Sequence, residues 1–287
     1  MTKELAHPEP VAQRGWSALG WLIPGLVVIV VLFVAPFALV FWKSFTDPTP
    51  GLQNYEAIVT DSLYARVLWN TVVSAFWTTI GCLIIGYPFA YAIYRSSHRM
   101  RLILLGAVLF AYSVGTVPRS FALLVVLGDR GVINQVRMAL TGATQPIYLL
   151  YNQIGVLVGM IHIMLPFMTL LLLGAMSRVN PRLVPAARTL GASPWRAFWE
   201  VFLPQTRPGV MAGALLIFIY SLGFYVIPAV LGGATQTTVV MQIQSLILTV
   251  GEWGLGSALS GILAVASIIG AVVYVRVTGL TDVYARD

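Results

Sequence analysis

Charge is what this chain has least of. Only 9% of its 287 residues are Asp, Glu, Lys or Arg, against about 25% in an ordinary soluble domain. Hydrophobic residues make up 58%, and mean hydropathy is +0.85. No soluble core absorbs that much apolar side chain, so the solvent for most of this chain is lipid. Lysine is nearly missing: Lys3 and Lys43 are the only two, and neither sits in a G-x-x-x-x-G-K-[ST] phosphate loop. The chain is therefore not a P-loop ATPase. Its one cysteine, Cys82, excludes an internal disulfide and, lying in an apolar run, reads as a small packing residue. His7, His98 and His162 are far apart, without the spacing that metal ligation needs. There is no G-x-S-x-G elbow. A catalytic, metal or cofactor reading has nothing to stand on, and no repeat recurs at a 20–50-residue period.

What remains is six long apolar runs: 16–42, 67–94, 102–127, 150–176, 208–231 and 257–277. Roughly 20 apolar residues cross a bilayer, and lipid satisfies no backbone hydrogen bond, so each run is expected to be a transmembrane helix. The fold class is thus an all-α membrane protein of six transmembrane helices. Residues 1–16 and 279–287 read as polar tails, 17–66 as the first helix with its external loop, and 67–278 as a five-helix body. The run after the first tail is too long for a cleaved signal peptide. Trp16 and Trp21 at one end of the first run, and Trp42 at the other, suit the two membrane interfaces. Inside the runs, Gly81, Gly86, Pro88, Pro166, Gly213 and Pro228 fit helices that kink or pack closely.

The formal charge is +7, but the positive residues flank apolar runs instead of forming one basic face, which excludes a nucleic-acid partner. Arg95, Arg99 and Arg101 form one knot, and Arg178, Arg182, Arg188, Arg196 and Arg207 lie in another stretch. In a six-span chain both fall on the same side. Short Lys/Arg-rich loops stay cytoplasmic, so that stretch and both termini are expected in the cytoplasm.

The polar stretch 178–207 has a pattern of its own. Asn180 can cap a helix with Pro181 at its first position. Leu183, Ala186, Ala187 and Leu190 follow at helical spacing. Gly191 can end that helix in the left-handed conformation. Ser193 and Pro194 repeat the cap-then-proline start, Trp195, Phe198, Trp199 and Phe202 form a second stripe, and Pro204 is expected to stop or kink it. The two alanines let another surface approach the backbone. By spacing alone the pair is either a docking element or an amphipathic hairpin lying on anionic lipid.

The stretch resembles the cytoplasmic "EAA" loop of ABC-importer permease subunits, whose pattern is roughly E-A-A-x-x-L-G-A-S, an aromatic, V-x-L-P and P-G. Matching positions are Ala186, Ala187, Leu190, Gly191, Ala192, Ser193, Phe198, Val201, Leu203, Pro204, Pro208 and Gly209. Pro185 stands where the pattern has glutamate, so that residue's role does not carry over. The resemblance runs from about residue 68 onward. It implies a cytoplasmic coupling helix, with Ala186, Ala187, Leu190, Gly191, Ala192, Ser193, Pro194 and Arg196 meeting the ATPase. It also implies an ATPase dimer, a second permease subunit of the same or a different sequence, and an external substrate-binding protein. Pro118, Arg119, Leu127-Gly128, Gly131 and Asn134 resemble the spermidine/putrescine branch, as do Leu222 to Tyr225, Pro228 and Leu231 to Gly233. Branches for other solutes, organic anions among them, share parts of this set.

Four residues are candidates for the substrate pathway. Arg119 is a charge inside or near the end of a span, either lining an outer mouth or snorkelling to headgroups. Tyr220, Phe224 and Tyr225 lie near a break in the fifth run, where rings can line a passage and hold an amine by cation–π contact, or simply pack. No acid lies inside any run. That disfavours the rival class, an ion-gradient-driven secondary transporter or channel, which often places ionisable groups in its spans.

Overall fold

The computed structural model describes residues 23–278; the expected tails, Trp16, Trp21 and both termini lie outside the described residues. Within them the chain is helical without a strand. The long helices are α1 (Ile23–Thr46), α3 (Ser62–Arg95), α7 (Gln153–Ser177), α9 (Pro194–Leu222) and α12 (Trp253–Thr278). Five are long and apolar enough to cross a membrane, and a bent pair brings the number to six. That pair is α4 (His98–Ser113) and the stretch Thr116–Thr141, which opens with α5 (Thr116–Leu127). Shorter pieces are α2 (Gln53–Thr60), α6 (Val132–Thr141), α8 (Leu183–Thr189), α10 (Val226–Leu231) and α11 (Val239–Val250).

The core lies where α3, α7 and α9 meet. Cys82, Ala90 and Ile93 of α3 share one buried cluster with Met160, Met168, Leu172 and Met176 of α7 and Ile217 of α9. Between helices in lipid the apolar drive is weak, and small residues that admit close contact matter more. Gly209 is such a residue: a Cβ built there falls on the side chain of Ala175.

Two expected spans are broken. The third was expected to be continuous over 102–127. Instead the chain bends by 97° after Ser113. Gly115 takes an extended conformation, and Thr116 starts a new helix with Pro118 in its first turn, where a missing N–H costs nothing. Pro118 therefore opens a helix. The fifth run breaks at Gly223, Phe224 and Tyr225 before α10 resumes. At its other end it is longer than expected. Pro204 does not stop the helix, because the turn Phe198–Phe202 is widened, with the Leu203 N–H reaching the Phe198 carbonyl. The wide turn admits the proline, and the second amphipathic helix of the polar stretch is the beginning of α9.

The segments between the spans carry more structure than their sequence suggested. Asn134 of α6 is fully buried and donates to the carbonyls of Gly128 (3.2 Å) and Ile147 (3.0 Å), while accepting from the Ile147 N–H. Between α10 and α12 the apolar α11 docks on α3, its Val239 N–H donating to the buried Thr71 hydroxyl at 2.9 Å. Asn54 of α2 donates to the carbonyls of Ser44 and Asp47, each at 2.9 Å, which ties α2 to the end of α1. The Lys43 ammonium lies 4.4 Å from the ring centre of Trp253, joining α1 to α12.

Gly209→Val is expected to overpack the α7–α9 contact at a cost of about 1–3 kcal/mol. Thermal unfolding of the purified protein in detergent should show the lowered midpoint, and an unchanged midpoint counts against the contact.

Candidate functional site

The polar stretch folds as a short helix, a tight turn and the start of α9. The helix begins at Leu183, two residues later than the Asn180–Pro181 start suggested, because residues 180–182 form a turn in which the Asn180 side chain accepts from the Arg182 N–H at 3.0 Å. Its end matches expectation. Gly191 has φ +92°. The Gly191 N–H donates to the Arg188 carbonyl at 3.1 Å and the Ala192 N–H to the Ala187 carbonyl at 3.0 Å. These are the two bonds of a Schellman cap, which needs a left-handed residue at this point. Ser193 then accepts from the Arg196 N–H at 3.2 Å, with Pro194 at the first position of α9. Arg196 is ion-paired with Glu200 at 2.9 Å, both side chains being largely exposed, and such a pair contributes about 0.3–0.5 kcal/mol.

The α8 stripe points away from the rest of the chain. Leu190 is 89% exposed, Leu183 43%, and Ala186 is exposed beside them, while Ala187 is half-buried. The inward contact of α8 is made by Val184 instead, which packs against the core. The second stripe divides. Trp195 and Trp199 are exposed, while Phe202 is buried. Phe198 and Phe202 meet Tyr91 of α3 with ring centres 5.0 and 5.2 Å apart, and Tyr94 lies 5.4 Å from Phe202. The Tyr87 hydroxyl shares a 3.0 Å hydrogen bond with Thr206. Tyr87, Tyr91 and Tyr94 stand at i, i+4 and i+7 on α3, so this clamp was readable as a helical face, though only the structure supplies the partner. Beneath it lies a cavity of about 370 Å³ bordered by Tyr94, Arg95, Pro185 and Arg188. Pro185 is thus at a cavity wall.

The pathway candidates do not converge on one point. Phe224 turns inward and is 8% exposed, in the core cluster with Ile227 and Leu231. Tyr225 is half-buried. Tyr220 is 61% exposed, its ring 6.0 Å from that of Phe167 on α7. Arg119 is half-buried on α5. Its Nε donates to the Gly115 carbonyl at 3.5 Å, and its buried Nη1 has no partner among the described residues. No group of His, Cys, Asp and Glu able to hold a metal occurs among the described residues.

Residues 82–286 match the family described as the binding-protein-dependent transport system inner membrane component. The chain belongs to that family. As a family member it is a multi-pass inner-membrane permease subunit of an ABC importer, and ATP hydrolysis is the work of a separate ATPase. This permease is 34% identical to the spermidine/putrescine transport system permease protein PotB of Haemophilus influenzae, over 93% of this chain and 92% of that one. It is 26% identical to a putative 2-aminoethylphosphonate transport system permease protein, PhnU, of Salmonella typhimurium, over 78% and 80% of the two chains. The fold is that of a chain in a bacterial ABC transporter involved in the import of the acidic polysaccharide alginate. There the TM-score is 0.73 at 18% identity, covering 93% of this permease and 96% of that chain. The MetNI methionine ABC transporter aligns with TM-score 0.58 at 17% identity, over 75% and 94%.

Phe202→Ala should cost about 3 kcal/mol by emptying the aromatic clamp. Limited proteolysis is expected to cut faster within 178–207 in that variant, and unchanged protection speaks against the clamp.

Proposed function

We propose that this permease imports polyamines, spermidine and putrescine, by coupling its 178–207 segment to an ATPase pair in the cytoplasm. The observation that carries the coupling is the outward-facing α8 stripe. A capped helix with a leucine nine-tenths exposed has no use for that leucine within its own chain, and burying a leucine elsewhere is worth about 1.5–3 kcal/mol. In this reading Ala186, Ala187, Leu190, Gly191, Ala192, Ser193, Pro194 and Arg196 form the surface that enters a groove of the ATPase. A second permease subunit completes the pathway, and a binding protein delivers substrate from outside. Both termini lie in the cytoplasm with the arginine-rich loops, residues 67–278 form the permease body, and 17–66 supply the first helix and its external loop.

ATP can shift the membrane helices only through a part that the ATPase grips differently in its two states. The α8 turn is continuous with α9, and Phe198 and Phe202 bind α9 to α3. A displacement of the turn is therefore passed to both helices, and the spans open outward when the ATPase pair closes and return after hydrolysis.

The polyamine assignment is supported by similarity to PotB over nearly the whole chain. A second reading, an aminoalkyl phosphonate, is favoured by one observation, the unpartnered guanidinium nitrogen of Arg119, which suits an anion. Labelled putrescine taken up by the reconstituted complex, with 2-aminoethylphosphonate ignored, supports the first reading; the reverse pattern, abolished by Arg119→Ala, supports the second.

Two further outcomes test the coupling. Gly191→Val forces a β-branched residue to positive φ, a strain of about 1–2 kcal/mol. Leu190→Asp places a charge in the contact. Both variants should insert normally yet retain the ATPase poorly in co-purification, with uptake lost in proportion. Normal recovery of the ATPase overturns the coupling assignment, as does uptake driven by a proton or sodium gradient without ATP.

A further inference from the structure

Three rings from three different helices meet at one depth. Tyr112 on α4 stacks with Phe167 on α7 at 6.0 Å and 25°, and Phe167 lies 6.0 Å from Tyr220 on α9. Tyr112 is in the last turn before the 113–116 break, and Tyr220 is in the last turn before the 223–225 break. Phe167 follows Pro166 in the middle of α7. Counted from the end nearest the 178–207 segment, Tyr112 lies 14 residues into its helix, Phe167 10 and Tyr220 12 from Pro208. At 1.5 Å per residue these are depths of about 21, 15 and 18 Å, close to the middle of a hydrocarbon layer about 30 Å thick.

This is the wrong place for lipid-facing tyrosines. Tyr112 and Tyr220 are 49% and 61% exposed, and neither hydroxyl has a partner among the described residues. Tyrosine is at home in the headgroup belt, and an unsatisfied hydroxyl at the membrane centre is unfavourable. Broken helices at membrane depth belong where protein or water covers them, and two breaks flank this row. Above it on α7, His162 is exposed, so a polar group continues the row.

We propose that Tyr112, Phe167 and Tyr220 form the midplane contact of the substrate pathway and hold the ammonium group of the passing amine on their ring faces. The assignment rests on the polyamine reading above. The one acidic side chain within the described spans, Glu200, lies in the 178–207 segment at the start of α9 and is paired with Arg196, so at the depth of the row ring faces and hydroxyls are what a cation meets. A ring face holds a cation loosely, which suits a site that must release its cargo at every cycle.

The test uses the complete complex, with its ATPase, partner permease and binding protein, in proteoliposomes. Phe167→Leu combined with Tyr220→Leu should lower putrescine uptake at least about tenfold, a loss of cation–π hold, while nucleotide hydrolysis and complex yield persist. Tyr220→Phe, which keeps the ring face, should retain most of the uptake. Separately, Tyr220→Cys should react with a membrane-impermeant, positively charged thiol reagent, read on the isolated permease band, where the background is silent because Cys82 is buried. Leucine variants that transport at the wild-type rate overturn the proposal. So does a fall in complex yield that matches the loss of uptake, which makes the row a seam between permeases, and so does a Tyr220→Cys thiol that stays unreactive, which makes it a lipid face. A wild-type complex that takes up neither putrescine nor spermidine overturns the polyamine reading instead. The same variants assayed with 2-aminoethylphosphonate, whose amine carries the same charge, then decide the row.

Discussion

Hydrocarbon accepts no hydrogen bonds, so a backbone that leaves the helix inside a membrane must be covered by its own protein or by water. That constraint explains both the helices and the places where they fail. The long spans carry their own backbone bonds. The breaks at 113–116 and 223–225 are set against α7, whose buried face runs unbroken through the core. The connecting segments obey the same rule with side chains: Asn134 bonds the backbone of Gly128 and Ile147, Thr71 accepts from the first N–H of α11, and Asn54 donates to the carbonyls of Ser44 and Asp47 at the end of α1.

The second organising contact is aromatic. Arginines crowd the loops 95–101 and 178–207, but the single ion pair among the described residues, Arg196–Glu200, is exposed and weak. What secures the polar stretch is the pairing of Phe198 and Phe202 with Tyr91 and Tyr94. Charge sets which side of the membrane the loop occupies, and ring packing sets how firmly it is joined to the spans. These are separable demands, and the sequence meets them with different residues on one short segment.

Much of this was legible beforehand, for definite reasons. Hydropathy found the spans because each must be long and apolar, and the 178–207 hairpin was readable because Gly191, Ser193 and Pro194 each fit one backbone requirement. The breaks were harder. Pro118 within an apolar run signals a disturbance, yet the sequence does not say whether a proline ends one helix or opens the next; Gly115 just before it decides the matter. Pro204 misled in the opposite direction, because a widened turn absorbs it and no local signal marks such a turn. α6 and α11 were hidden within stretches read as loops, since each is shorter than a span. Of the rings, Tyr220 was visible beside its break, Phe224 lies buried in the core cluster, and Tyr112 and Phe167 gained meaning only when three helices brought them together.

Gly209 and Ala175 leave no slack between α7 and α9. Two rods in backbone-to-backbone contact cannot slide or spread without opening a void that nothing fills, so they swing as one body. Any relative motion of the spans must then be absorbed elsewhere, at the joints after Ser113 and Leu222. So close a seam thereby decides which parts of the molecule are free to work as hinges.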